Sequence, residues 1–360
     1  MMRVEDSAAR AELAAQPRRR CVRPSGPEDA AAITALMSEA GLRSNTEPRH
    51  LHWKYWQERP EWAGSRSYVL TDGSAVLAHA EVMPATLLAD GKRLRLAHVI
   101  DWAARHSEVG AGVALMKHVG RLTDALYAIG GSADTVKILP QIGFRACGAV
   151  AGYVRPLSAL NLWREVGAGS WRIVPRMARS ILWRMRASRP SLEGWSVSLL
   201  AEGESGRIAS VLPQARAERA VLERGEALFR YMLACPIVPM MLYAVEYADR
   251  VRGYFLLALV GGQTRLADAW VDSTEPADWR ALVGCAVREA SRRKEAAELV
   301  AWSSDPMLAQ ALADNGFHQR FTLPVMLRGG AQAASVSTLR VQMLDNDALY
   351  LYEGRDQLWA

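Results

Sequence analysis

No stretch of this 360-residue chain offers the run of about 18 apolar residues that a membrane-crossing helix needs. The first twenty residues, MMRVEDSAARAELAAQPRRR, lack the apolar core of a secretory signal and are expected to form a disordered tail on a cytoplasmic protein. Cysteine is sparse: Cys21, Cys147, Cys235 and Cys285 stand far apart, without CxxC spacing. That pattern predicts reduced, packed thiols and no metal site. A Walker loop, a Ser-His-Asp order and metal-ligand spacing are missing too, so none of those chemistries competes for the chain.

Excess charge is also scarce outside one segment. The formal net charge is +6, and from Asn161 to Pro190 seven arginines stand against one acid, Glu165. The rest is close to neutral, so a broadly basic nucleic-acid-binding surface is not expected. Half of the residues are hydrophobic and 23% are charged, ordinary values for a folded chain long enough for two domains with their own cores.

What is present is one plan used twice. Each half has a strand and helix start, CVRPSGPEDAAAITALM and more faintly SVSLLAEGESGRIASVLPQA. Next comes an aromatic-basic segment, HWKYWQERP or LFRYMLACP. Laying Trp53 on Phe229 puts Lys54 on Arg230, Tyr55 on Tyr231 and Pro60 on Pro236 without a gap. Both segments are expected to be a helix or turn stopped by the proline, with Trp56, Gln57, Glu58 and Arg59 free for acceptor recognition. Hairpin signals follow, TDGS and ADGK in one half, ADRVRG and VGGQ in the other. Helices are predicted at Gly112 to Leu126 and Trp279 to Arg293, and each half closes as strand, short helix, Gly-Phe, strand.

This order of elements resembles the GNAT acyltransferase superfamily, in a bacterial branch with two such domains in tandem. The resemblance rests on RPSGPEDAAAI, HWKYWQERP, AHAEVMPATLLADGK and AHVIDWAARHSEVGAG taken in sequence. It implies an α/β fold, a mixed sheet with flanking helices, in two tandem GNAT-like acyltransferase domains. The expected division is a tail at 1–20, an acyl-CoA-binding domain at 21–157, an Arg/Trp-rich linker helix at 158–195, a degenerate second domain at 196–328 and a C-terminal extension at 329–360.

The resemblance also implies a cofactor site for acetyl-CoA or another acyl-CoA. A glycine turn opening a helix offers free amides to the pyrophosphate. Here that turn is Val109, Gly110, Ala111 and Gly112, after the strand end Trp102-Ala103, with Ser132 near the pantetheine. Glu108 stands where the family has glycine, and Arg105 is expected to offset it. The second half has Pro276 and carboxylates in place of the turn and is expected to bind no CoA. Leu139 and Leu312 occupy the position of the family's general-acid tyrosine.

For the base that takes a proton from the acceptor amine, the strands offer His79, Glu81, His98 and Asp101. Glu81 and Asp101 are the favoured candidates; His98 reads as a packed histidine. The function implied is acyl transfer from CoA to a small-molecule amine or amino sugar, and the alternative is an inactive GNAT-like module. An aminoacyl-tRNA-dependent transferase would need a basic groove outside the linker. In the linker, SWRIVPRMARSILWRMRASRP is amphipathic, with Arg172, Arg176, Arg179, Arg186 and Trp183 opposite Ile173, Met177, Ile181, Leu182 and Met185. Its apolar face is expected to pack on a domain, or residues 171–186 to touch an anionic membrane surface.

Overall fold

A computed structural model describes residues 20–42, 46–166, 173–186, 191–215, 220–351 and 358. The tail expected at 1–20 lies, apart from Arg20, outside them. The first half runs β1 (Cys21–Pro24), α1 (Ala30–Glu39), α2 (Pro48–Leu51), β2 (Ser67–Thr71), β3 (Val76–Ala89), β4 (Lys92–Ala104), α3 (Ala111–Val119), β5 (Ala125–Ile129), α4 (Ala133–Gln141) and β6 (Arg145–Pro156). The linker carries α5 (Ala159–Val166) and α6 (Ile173–Arg186). The second half runs β7 (Trp195–Leu199), β8 (Ala220–Leu222), α7 (Glu226–Leu233), β9 (Met240–Tyr247), β10 (Arg250–Val260), β11 (Gln263–Val271), α8 (Pro276–Ser291), β12 (Glu298–Ser303), α9 (Pro306–Asp314) and β13 (His318–Gly329). Two short elements follow, α10 (Ala331–Ala334) and β14 (Leu339–Arg340).

The hairpin signals are met. Asp90 and Gly91 have φ of 49° and 71°, the twist that a two-residue turn between β3 and β4 requires. Helix ends shift for local reasons. The helix expected to reach Leu126 stops at Val119, capped at Gly120, and Leu126 belongs to β5. HWKYW forms a π-helical turn continuing α2, and α7 ends at Leu233, before Pro236.

The sheet is a single one, with its main path in the order β1-β2-β3-β4-β5-β13-β6-β12-β11-β10-β9-β7. The halves exchange their closing strands. β13, the last strand of the second half, lies between β5 and β6, and β6 lies between β13 and β12. One apolar core accordingly takes in Trp53, Leu96 and Tyr127 from the first half with Tyr243, Leu256 and Leu299 from the second.

Both halves also part their sheet at the same place. β4 and β5 pair in parallel from Leu96↔Ala125 to His98↔Tyr127 and then diverge. β11 and β12 pair from Gln263↔Glu298 to Leu266↔Ala301 and do the same. Parallel strands that separate leave unpaired backbone groups in the gap, and these need partners.

Candidate active site

In the first half the gap opens as a cavity of about 630 Å³, within the range of small-molecule sites. At its mouth α3 begins. Gly110 has φ of 82°, a left-handed conformation that L side chains adopt at a cost, and it turns the chain into the helix. Gly112 and Val113, at the second and third helical positions, have no partner one turn earlier, and both line the cavity. Gly112 is small for a reason: a Cβ there would sit 3.2 Å from Nε1 of Trp102, which donates to the Gly112 carbonyl at 2.8 Å.

Of the residues expected to hold acyl-CoA, Trp102, Ala103, Gly110, Gly112 and Ser132 line this cavity. Ser132 also caps α4, accepting from the Thr135 amide at 3.2 Å. Ala111 instead points into the core, and Val109 is 93% exposed at the turn's tip. Glu108 is neutralised by Arg20, whose Nη2 lies 2.6 Å from it. Arg105, the partner expected from sequence, is turned the other way and donates to the Val76 carbonyl at 3.0 Å.

At the inner end stands a buried ion cluster. β4 bulges opposite β3, with two residues, Asp101 and Trp102, facing one, Ala80. Asp101 takes φ of 46° in this bulge. Its Oδ2 lies 2.6 Å from Lys54 Nζ and accepts from the Tyr55 hydroxyl at 2.6 Å. Lys54 is 1% exposed and lies 3.8 Å from Glu81 Oε2 and 3.6 Å from Asp347 Oδ2. One ammonium thus serves three carboxylates.

The environments separate those carboxylates. Burial disfavours the charge on Asp101, but Lys54 and the Tyr55 hydrogen bond outweigh it and hold its carboxyl below the usual range. Burial pushes Glu81 well above that range, against the pull of Lys54 and Arg66. Burial raises Asp347 to about 6, with Lys54 opposing and Asp101 reinforcing. Asp101 and Asp347 line the cavity; Glu81 lies on β3 behind them and does not.

The candidate histidines are packed and neutral. His79 places Nδ1 3.1 Å from the Asp101 carbonyl and Nε2 2.9 Å from Ser67 Oγ, and burial lowers it to about 4. His98, also lowered to about 4 by burial, lies between the Tyr127 carbonyl and the Asn346 side chain. Trp56, Gln57, Glu58 and Arg59 do not line the cavity; Trp56 donates to Ser25 Oγ, and Arg59 lies over the Tyr231 ring. Leu139, at the tyrosine position, is buried in the core.

Sequence reading missed Lys54, Tyr55, Asn346 and Asp347. The repeat matches Lys54 with Arg230, yet Arg230 is exposed and pairs with Glu226 on its own helix. The one available signal was the polar run Asp345-Asn346-Asp347, set between the apolar pairs Met343-Leu344 and Ala348-Leu349.

That extension explains the second gap. Gln342 enters between β11 and β12, and its side chain exchanges two hydrogen bonds with the Ala269 backbone at 2.9 and 3.0 Å. Its backbone bridges to Ser303, and Val341 pairs with Ser304. Arg340 lies 3.9 Å over Trp270, 5.1 Å from the Trp279 ring and 3.2 Å from Asp305, which caps α9. The chain's own segment therefore fills the cleft. It then runs on to the first site, where Asp345 pairs with Arg224 and Asp347 reaches Lys54.

No family model and no curated relative matches the sequence. Solved structures do. The chain resembles a GCN5-related N-acetyltransferase from Anabaena variabilis at a TM-score of 0.57 and 11% identity, over 86% of this chain and 73% of that one. A second, from Kribbella flavida, matches at 0.54 and 15%, over 89% and 74%. Saccharomyces cerevisiae N-myristoyltransferase, solved with bound myristoyl-CoA, matches at 0.60 and 12%, over 86% and 82%. With the repeated strand parting and the exchanged strands, these likenesses show that the chain has the GCN5-related N-acetyltransferase fold, in two tandem copies.

Proposed function

We propose that the chain is an acyl-CoA-dependent N-acyltransferase whose acceptor is an amine of a small molecule or amino sugar. The observation that carries this reading is the cavity between β4 and β5, with helix amides at its mouth and ionised groups at its inner end. In this reading the amides of Gly112 and Val113 take the pyrophosphate of acyl-CoA. Trp102 and Ser132 border its arm. The thioester then lies near Asp101 and Asp347. Asp347, raised to about 6, is suited to take the proton from the arriving ammonium near neutral pH. Asp101 stays ionised and holds Lys54, whose positive charge keeps Asp347 from rising further. The amine nitrogen attacks the thioester carbonyl and forms the C–N bond, the C–S bond breaks, and the second proton shed by the nitrogen goes to the departing CoA thiolate.

A second reading, a module that binds acyl-CoA without turning it over, is favoured by the buried Leu139 in place of a phenol. Calorimetry with acetyl-CoA and longer acyl-CoAs, on wild type and Gly110→Trp, tests both. Binding that the variant loses is expected, and no binding by the wild type would sink both. Thioester cleavage over a panel of amines then separates enzyme from module.

A further inference from the structure

Helix α6 turns most of its apolar stripe away from the protein. On α6, Val174, Ala178, Ile181, Leu182 and Met185 fall within an arc of about 100° at the helical repeat. They are exposed, at 67% for Val174, 47% for Ile181, 43% for Leu182 and 79% for Met185. The side turned to the protein holds Met177, packed on the core, together with Trp183 and Arg179 from the face expected to be polar. Trp183 stacks on His318 with ring centroids 3.8 Å apart, Ser180 is 1% exposed, and Arg179 lies over the Trp183 ring. On neighbouring α5, Leu162 is buried while Leu160 and Trp163 are 53% and 40% exposed. Single exposed apolar side chains are ordinary; seven on two adjoining helices need a partner.

The charge around this face says what the partner is. Arg164 and Arg184 are exposed on the same two helices. Behind them, Arg155, Arg179 and Arg320 crowd His318 and add to the burial that lowers its pKa. The segment's lone acid, Glu165, lies against Gly262. A two-fold pairing of this face with itself would set arginine against arginine, which disfavours a second copy.

We propose that the α5–α6 hairpin is a docking surface for a bilayer carrying anionic headgroups. The apolar stripe of α6 lies in the interface plane, and the arginines reach the headgroup phosphates from its flanks. This attachment is independent of the chemistry proposed for the cavity.

Flotation of the full chain with vesicles tests it. Co-flotation is expected with phosphatidylcholine–phosphatidylglycerol vesicles at low salt, falling as salt rises, and not with phosphatidylcholine alone. The Ile181→Asp/Met185→Asp variant, both changes at exposed positions, should lower the floating fraction about tenfold or more with its melting temperature unchanged. Arg184→Glu should lower it with a weaker salt dependence. No co-flotation at low salt, or equal co-flotation of wild type and variants, overturns the proposal. So does a wild-type dimer in sedimentation that the double variant dissolves, since a second copy would then cover the face.

Discussion

Lys54 Nζ lies 2.6 Å from Asp101 Oδ2, with Glu81 and Asp347 on its other sides, and the lysine is 1% exposed. Removing the cation leaves buried carboxylates without compensation. Lys54→Met should therefore cost about 3–5 kcal/mol in urea unfolding. Adding Asp101→Asn should recover part of that loss. A double variant no more stable than the single one would show that charge pairing is not the source.

Asp347 has to be ionised to take a proton, and burial beside Asp101 holds it at about 6. kcat/KM should be low below that pH and rise to a plateau above it, the limb belonging to the coupled pair. Asp347→Asn should reduce kcat roughly 100-fold or more with acyl-CoA affinity kept. If the residual activity shows the same acid limb, another group is the base.

The two aromatic-basic segments clasp each other. Trp53 Nε1 donates to the Tyr231 carbonyl at 3.0 Å, Tyr231 Oη donates to the Trp53 carbonyl at 2.8 Å, and the rings stack at 4.7 Å. Trp53→Ala should cost about 3–5 kcal/mol, and Tyr231→Phe about 1 kcal/mol. Chemical denaturation is expected to stay a single transition, because the halves share one core. Two separated transitions would contradict that.

Gln342 supplies partners to both backbone groups of Ala269. Gln342→Ala leaves them unpaired in the filled cleft, an expected loss of about 2 kcal/mol by thermal or urea unfolding. Acyl-CoA binding to the first site should persist in this variant.

Gly110 has open space around an added Cβ, so Gly110→Ala tests the backbone alone. With φ of 82° the change should cost about 1–2 kcal/mol. A neutral result would mean that the turn relaxes freely.

Local pattern determined a good deal here. The hairpin at Asp90-Gly91 and the glycine turn are carried by residues near one another in the chain. Periodicity and turn chemistry act over a few residues, so sequence alone expresses them. The matched segments were legible as a repeat, yet their likeness hid a difference: Lys54 is buried and Arg230 exposed.

Tertiary structure decided the rest. Strand exchange sets β13 between β5 and β6, and the extension carries Asp347 to Lys54. Both depend on pairing between distant parts of the chain, which no local period records. The outward turn of α6 was decided the same way: its amphipathicity is in the sequence, but which face packs depends on Trp183 meeting His318 on β13.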